Sequence, residues 1–484
     1  MNLLHVASEV APLCKTGGLG DVVGALPRAL ATLGLHPTVV APRYAGIDTE
    51  RWALARRLRK LLVPLGPEAV EVGIYEGRLP GSAVPVYLID HEPSFARPGL
   101  YGEGGHDYPD NARRFALLGR AALEVARSLA RWPDLVHAHD WEGSLALYYL
   151  GRGALAGAPP TGTVLTIHNL AFQGLYPPAV IDQLGLGWDA FTPHGIEFFG
   201  QVSLLKAGIL SADRVTTVSP RYAREIQTEA LGCGLDGLLR ARADRVVGIL
   251  NGVDYETWDP ARDSRIAKRY SVADPSGKAV CKLDLQKRLN LPQRADVPLL
   301  GAVSRLTEQK GFDLIVQAAD ELARMELQLC VLGNGERALE EALAQLAARH
   351  PSRFAVRIAY DDTLAHQIQA GADLLIMPSR FEPCGLAQMY ALRYGTVPLV
   401  RAVGGLDDTV VDWDARTRSG TGFKFEEHSE AALLHALRRA LDAWRDRAAW
   451  RELSLRAMQQ DFSWRNSARQ YADLYEQVLR ERPR

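Results

Sequence analysis

The sequence predicts an α/β protein with two open, largely parallel sheets, and three observations lead there. At 484 residues the chain exceeds the size at which one hydrophobic core keeps growing, so two domains are expected. Its first half alternates short apolar runs with amphipathic segments, and after "RVVGILNGVD" the same alternation starts again. Runs that are apolar on both faces and separated by helical patterns belong to parallel sheets covered on both sides.

In the first half, strands are read at "NLLHVASEV", "PTVVAPR", "VPVYLID", "DLVHAHD", "TVLTIHN" and "RVTTVSP". Helices are read at "DVVGALPRALATLG", starting at Gly20–Asp21, and at "NARRFALLGRAALEVARSLARW". The turn-rich "YETWDPARDSRIAKRYSVADPSGKAV" follows as a connecting region, with the boundary near residue 250. Beyond it come strands "PLLGAVSRL", "LQLCVLGNG", "FAVRIAYDD", "DLLIMPSR" and "TVPLVRAV", and helices "GFDLIVQAADELARM", "RALEEALAQLAARH" and "GLAQMYALRYG". Leu433, Leu437, Leu441 and Trp444 recur at helical spacing, and "SARQYADLYEQVLRER" forms a last amphipathic helix.

The net charge of −1 gives no global electrostatic reason to bind nucleic acid or an anionic membrane. Five scattered cysteines without a C-x-x-C pair suit a reducing compartment. The N-terminus has no basic start followed by a long apolar core, and no stretch reaches 18 uninterrupted apolar residues. A cytoplasmic protein is expected.

Four clusters carry candidate chemistry. "CKTGGLGDV" sets Lys15 before Gly17, Gly18 and Gly20, at the start of a helix whose free N–H groups suit an anion. No G-K-[ST] follows, so it is not a phosphate loop of the Walker type. "SRLTEQKGFD" places Arg305 and Lys310 around a strand–helix loop, where two cations suit a departing diphosphate. "RFEPCGLAQMYAL" brings Glu382 beside a helix opened by Cys384 and Gly385; a carboxylate there is either a cap or an acceptor for sugar hydroxyls. A lowered thiol pKa is expected for Cys384 at that helix start, in a contact role. "HAHDWEGS" and "TIHNLAFQG" put Asp140, Trp141, His168 and Asn169 at strand ends, and "RAVGGLDDTV" adds Gly404 and Gly405, whose N–H groups suit phosphate oxygens. Each cluster alone also fits a tight turn, a cap or a solvated charge.

Three rival readings arise from the same residues. "DWD" at Asp412–Asp414 is formally a D-x-D of a metal-dependent transferase. The loose glycine pattern with Arg43 suggests an NADP-linked oxidoreductase, and a non-catalytic glycan binder would share the fold. The last has no need to keep Lys15, Arg305, Lys310 and Glu382 together.

Nearly end to end, the sequence resembles the bacterial glycogen synthase and plant starch synthase family. The resemblance is carried, in order, by "KTGGLGDVVGALPRAL", "LYGEGGHDYPDNARRF", "HAHDWEG", "TIHNLAFQG", "KAGILSADRVTTVSPRYAREI", "NGVDYETWDP", "SRLTEQKG", "FEPCGLAQMYALRYGT" and "VRAVGGLDDTV". It implies an α/β GT-B fold, two Rossmann-like doubly wound domains with an interdomain active-site cleft. The first domain would be 1–250, completed by the C-terminal helix 466–484, and the second 251–465. The implied activity transfers glucose from ADP-glucose to the 4-hydroxyl of an α-1,4-glucan's non-reducing end, with retention, without cofactor or metal. The implied catalytic residues are Lys15, His168, Arg305, Lys310 and Glu382. Donor contacts would add Gly17, Gly18, Asp21, Tyr101, Asp140, Asn169, Cys384, Gly385, Leu386, Gly404 and Gly405. Val403 departs from the threonine that the family often carries there.

Overall fold

The computed structural model describes residues 1–153 and 157–482; the last two residues of the expected helix 466–484 lie outside them. The chain divides into two compact units. Unit 1 comprises 1–218, 223–252 and the segment from Trp464 on; unit 2 comprises 219–222 and 253–463.

Unit 1 is built on a nine-stranded sheet. Its strands are β1 (Asn2–Val6), β2 (His36–Pro42), β3 (Ala55–Leu65), β4 (Glu68–Arg78), β5 (Pro85–Asp90), β6 (Leu135–His139), β7 (Gly162–Ile167), β8 (Arg214–Thr217) and β9 (Val246–Gly248). They lie in the order β9-β8-β7-β6-β1-β2-β5-β4-β3. All neighbours are parallel except at the β5–β4 and β4–β3 pairs. The β3–β4 hairpin is an addition to the expected elements. Its strands expose charged residues and bury little beyond Leu61, Val63, Leu65, Val70, Val72 and Ile74, as an outer hairpin of a sheet does.

Unit 2 carries six parallel strands: β10 (Leu299–Val303), β11 (Gln328–Gly333), β12 (Phe354–Ile358), β13 (Leu374–Met377), β14 (Val397–Arg401) and β15 (Phe423–Phe425). Their order is β12-β11-β10-β13-β14-β15. Reading outward from β10, this is the doubly wound 3-2-1-4-5-6 arrangement. In such sheets the chain winds in opposite directions from a central pair, which leaves a crevice at the strands' carboxyl ends. The reversal falls between β1 and β6 in unit 1 and between β10 and β13 in unit 2. Those two places position everything below.

Apolar residues from strands and covering helices fill each core. In unit 2, Leu300, Ile315, Leu329, Leu374 and Leu399 pack with Leu433, Leu437 and Trp444 of the helix Glu430–Arg445. In unit 1, Leu26 and Leu30 of the helix Gly18–Thr32 meet Trp464, Tyr471 and Tyr475 of the helix Trp464–Glu481. That last helix is thus part of the unit 1 core, although the chain has passed through unit 2 before reaching it.

Candidate active site

The switch point of unit 1 is entered from β1 by residues 7–17. The helix behind this loop starts at Gly18, two residues before the expected Gly20–Asp21. The reason is Glu9, a residue that the motifs did not single out. Its buried carboxylate accepts from the Thr16 N–H at 2.7 Å, the Thr16 hydroxyl at 2.8 Å, the Gly17 N–H at 3.2 Å and the Tyr101 hydroxyl at 2.6 Å. Pinned at Thr16 and Gly17, the chain becomes helical at once. A Cβ on Gly20 would lie 2.6 Å from the Lys15 Cβ, so only glycine lets the loop fold over the helix start. Tyr101, expected among the donor contacts, ties its hydroxyl to Glu9 and takes a hydrogen bond from Ser8 at 2.8 Å. Lys15 pairs with Asp21 at 2.8 Å, and both side chains are more than a third exposed. Such an exposed pair is worth about 1 kcal/mol or less.

The other side of this crevice is the end of β6. Asp140 follows directly, at φ 50°, a backbone region that non-glycine residues rarely occupy. Its Oδ1 accepts from the His168 N–H at 2.7 Å, and the Asn169 N–H also donates to this carboxylate. Asp140 and His168 therefore sit together, with Asn169 beside them. Trp141 does not join them. It is buried edge-on against Phe115 at 5.0 Å and near Tyr176, as a core side chain.

Burial dominates the charge states here. It pushes the Asp140 carboxyl up to about 7, and Glu142 well above the usual carboxylate range. It lowers His5 and His168 to about 3, and His137 and His139 well below 6.5. The depressed histidines contribute stability above pH 6.5 that is lost as pH falls towards 3; the raised carboxyls contribute stability at low pH that is lost towards 7. Near pH 5, unfolding takes up about four protons on the histidines and releases about two from the carboxyls. Stability is therefore expected to fall below pH 6 by roughly 3 kcal/mol per pH unit. Urea midpoints measured between pH 7 and pH 5 check this, and a midpoint that stays fixed would contradict it.

In unit 2 the loop after β10 carries Arg305 and Lys310, and the loop after β13 carries Glu382. Lys310 Nζ donates to both Glu382 oxygens, at 2.9 and 2.7 Å, and the Ser379 hydroxyl donates to Glu382 at 3.1 Å. The carboxylate is buried and Arg305 is exposed. An ion pair thus bridges the two strands that flank the switch point. Cys384 is buried, and Gly385 turns at φ 68° ahead of the helix Ala387–Arg393, with Leu386 at its N-cap.

Of the two glycines expected to offer N–H groups to phosphate, Gly405 has its N–H engaged within the chain, donating to the Glu382 and Pro383 carbonyls at 3.1 and 3.2 Å. A Cβ on Gly404 would lie 1.9 Å from the Glu382 oxygen, and one on Gly405 would lie 2.0 Å from the Cys384 oxygen. These glycines let two backbones touch, and so fix the Glu382 loop. The carboxylates of "DWD" are likewise engaged locally: Asp412 accepts from the Lys424 N–H and from Arg439, and Asp414 accepts from the Arg416 N–H.

Two Rossmann-like units, each with basic and acidic side chains gathered at its switch point, define a glycosyltransferase of the GT-B class. Residues 2–241 match the starch synthase catalytic domain, and residues 286–454 match glycosyl transferases group 1. The chain is 54% identical to a glycogen synthase of Anaeromyxobacter sp. (strain Fw109-5), over 98% of this chain and 99% of that one. A glycogen synthase of Geobacter metallireducens is 46% identical, covering 100% and 97%. The catalytic domain of starch synthase IV from Arabidopsis thaliana, solved with ADP and acarbose, superposes with a TM-score of 0.92 at 33% identity, over 99% of both chains. The chain belongs to the glycogen synthase and starch synthase family.

Proposed function

We propose that this glycosyltransferase extends α-1,4-glucan by moving glucose from ADP-glucose to the 4-hydroxyl at the non-reducing end, with the α configuration retained. The acceptor is glycogen or a maltooligosaccharide. In this reading residues 1–250 with 466–484 form the acceptor-side domain, and 251–465 form the donor-side domain. Lys15, Gly17, Gly18 and Asp21 meet the donor's diphosphate and glucose. Arg305 and Lys310 steady the departing ADP, with Gly404 and Gly405 shaping the loop beside them. His168, Asp140 and Asn169 hold the glucosyl group, and Tyr101 holds the loop that carries Lys15.

The observation that carries the reading is the Lys310–Glu382 pair at the unit 2 switch point. A carboxylate offers about four acceptor positions, and Lys310 and Ser379 fill three of them. The remaining one suits a sugar hydroxyl, with Cys384, Gly385 and Leu386 backbone groups alongside. The lysine charge that orients Glu382 also lies where negative charge grows as the bond to phosphate breaks, and fixed charges are most effective there.

The chemistry that follows is same-face attack, in which a phosphate oxygen of the leaving ADP takes the proton of the acceptor hydroxyl. The protein supplies position and leaving-group stabilisation. The scheme calls for neither metal nor cofactor. No helix among the described residues is long and apolar enough to cross a membrane; work on a glucan in the cytoplasm is part of the same proposal. The test compares radiolabelled ADP-glucose with UDP-glucose as donors to glycogen, followed by linkage analysis of the product. Incorporation from ADP-glucose into new α-1,4 bonds is expected, and no incorporation from either donor would refute the reading.

A further inference from the structure

We propose that His139, with His5 behind it, is a positioning residue that fixes the proton of His168 on Nδ1, so that the site meets its sugar with a hydrogen-bond donor. The inference rests on the reading that His168 lies against the glucosyl group.

Three buried imidazoles stand in a row. His5 Nδ1 lies 3.2 Å from His139 Nε2, and His139 Nδ1 lies 3.0 Å from His168 Nε2. The row follows from the sheet. β1 and β6 pair in parallel with His5 opposite His137, two residues before His139, and His168 follows the end of β7. Only the two outer nitrogens, His5 Nε2 and His168 Nδ1, are buried without a partner among the described residues.

All three rings are neutral near pH 7, because burial holds them far below their ordinary value. A neutral imidazole carries one N–H. Three rings therefore hold three protons; the two contacts use two, and the third must sit at one end of the row. Neither end has an acceptor among the described residues, but His5 is fully buried whereas His168 keeps some exposure, and in the reading above a sugar hydroxyl stands beside it to accept. The proton therefore resides on His168 Nδ1, each ring donating from Nδ1 to the next. The His168 N–H to Asp140 holds the backbone in place while the row sets the ring.

His137 stands aside. Its Nδ1 faces the Tyr475 hydroxyl at 2.7 Å and its Nε2 faces the Thr166 hydroxyl at 2.6 Å. His5, His137 and His139 could bring one ligand atom each within 4.8 Å of the others. Yet both nitrogens of His137 and of His139 are already hydrogen-bonded, which leaves only His5 Nε2 to offer a metal.

The test uses the full chain labelled with 15N-histidine, with the His168 signals assigned by their loss in His168→Gln. Nitrogen shifts and couplings to the ring protons separate the Nδ1–H from the Nε2–H form. In the unsubstituted protein His168 is expected in the Nδ1–H form, and an Nε2–H form would overturn the proposal with no variant needed. His139→Phe removes the donor to His168 Nε2. It is expected to release the lock, giving His168 as a mixture of Nδ1–H and Nε2–H forms, and to lower kcat/KM for ADP-glucose about tenfold, with the glucan KM unchanged. His139→Asn sets an amide N–H near the lost Nδ1 and should restore both readings. An unchanged His168 signal and rate in His139→Phe would also overturn it. Failure of the unsubstituted enzyme to use ADP-glucose would instead strike the functional reading and leave the tautomer result standing on its own.

Discussion

Replacing Lys310 by alanine is expected to lower kcat by about a hundredfold or more, while leaving glucan affinity within about twofold. The lysine holds a buried carboxylate with two short contacts, and its own side chain is 17% exposed. Two losses are therefore combined in the single variant. One is the charge that steadies the departing diphosphate; the other is the partner of Glu382, left buried and unpaired. Breaking a buried pair from one side typically costs about 3–5 kcal/mol of stability, and the lysine's partial exposure puts this case towards the lower end. The double variant Lys310→Met with Glu382→Gln separates them, because it removes both charges. It should regain thermal stability and stay as slow as Lys310→Ala. Initial rates at saturating ADP-glucose, glycogen affinity electrophoresis and melting curves check the three parts. A Lys310→Ala enzyme with normal turnover would remove the lysine from the chemistry.

The second large effect is expected from Glu9→Ala. Four donors converge on that carboxylate, two of them backbone N–H groups of the glycine-rich loop. Hydrogen bonds to a charged group are worth about 1.5–3 kcal/mol each, and some of these donors will find water once the carboxylate has gone. Losing loop order equivalent to roughly 3 kcal/mol lowers kcat/KM for ADP-glucose about a hundredfold. Most of the change should appear in the donor KM. Glu9→Gln keeps an acceptor oxygen but turns an amide N–H towards the same donors, so it should recover only part of the loss. A Glu9→Ala enzyme with an unaltered donor KM would show that the loop holds its shape unaided.

The pattern of strands and helices was readable because a covered parallel strand is apolar on both faces, as "DLLIMPSR" and "TVPLVRAV" are. The β3–β4 hairpin escaped because "RRLRKLLVPL" presents arginine and lysine to solvent along most of its length, and its alternation is short. One signal was available in "LGPE", a turn between two alternating runs. Lys310 and Glu382 stood out as charges beside glycine turns at strand ends, although nothing in their 72-residue separation announces an ion pair. Glu9 could not be found by its neighbours in sequence, since its role depends on the chain returning at Thr16, Gly17 and Tyr101. His5 and His139 were hidden for a similar reason: strand register, which a sequence shows only through its consequences, puts them side by side. At positions 404 and 405 the sequence shows only that glycine is demanded, because a close backbone approach and an anion site call for the same residue.

The helix Trp464–Glu481 gives the life of the polypeptide a definite sequence of events. In order of synthesis unit 2 is complete at residue 463, before Tyr471 and Tyr475, which close over Leu26 and Leu30 of unit 1, have been added. The half made first therefore matures last. A chain cut just before Trp464 would keep every residue of unit 2 and leave Leu26 and Leu30 of unit 1 without the aromatic rings that cover them.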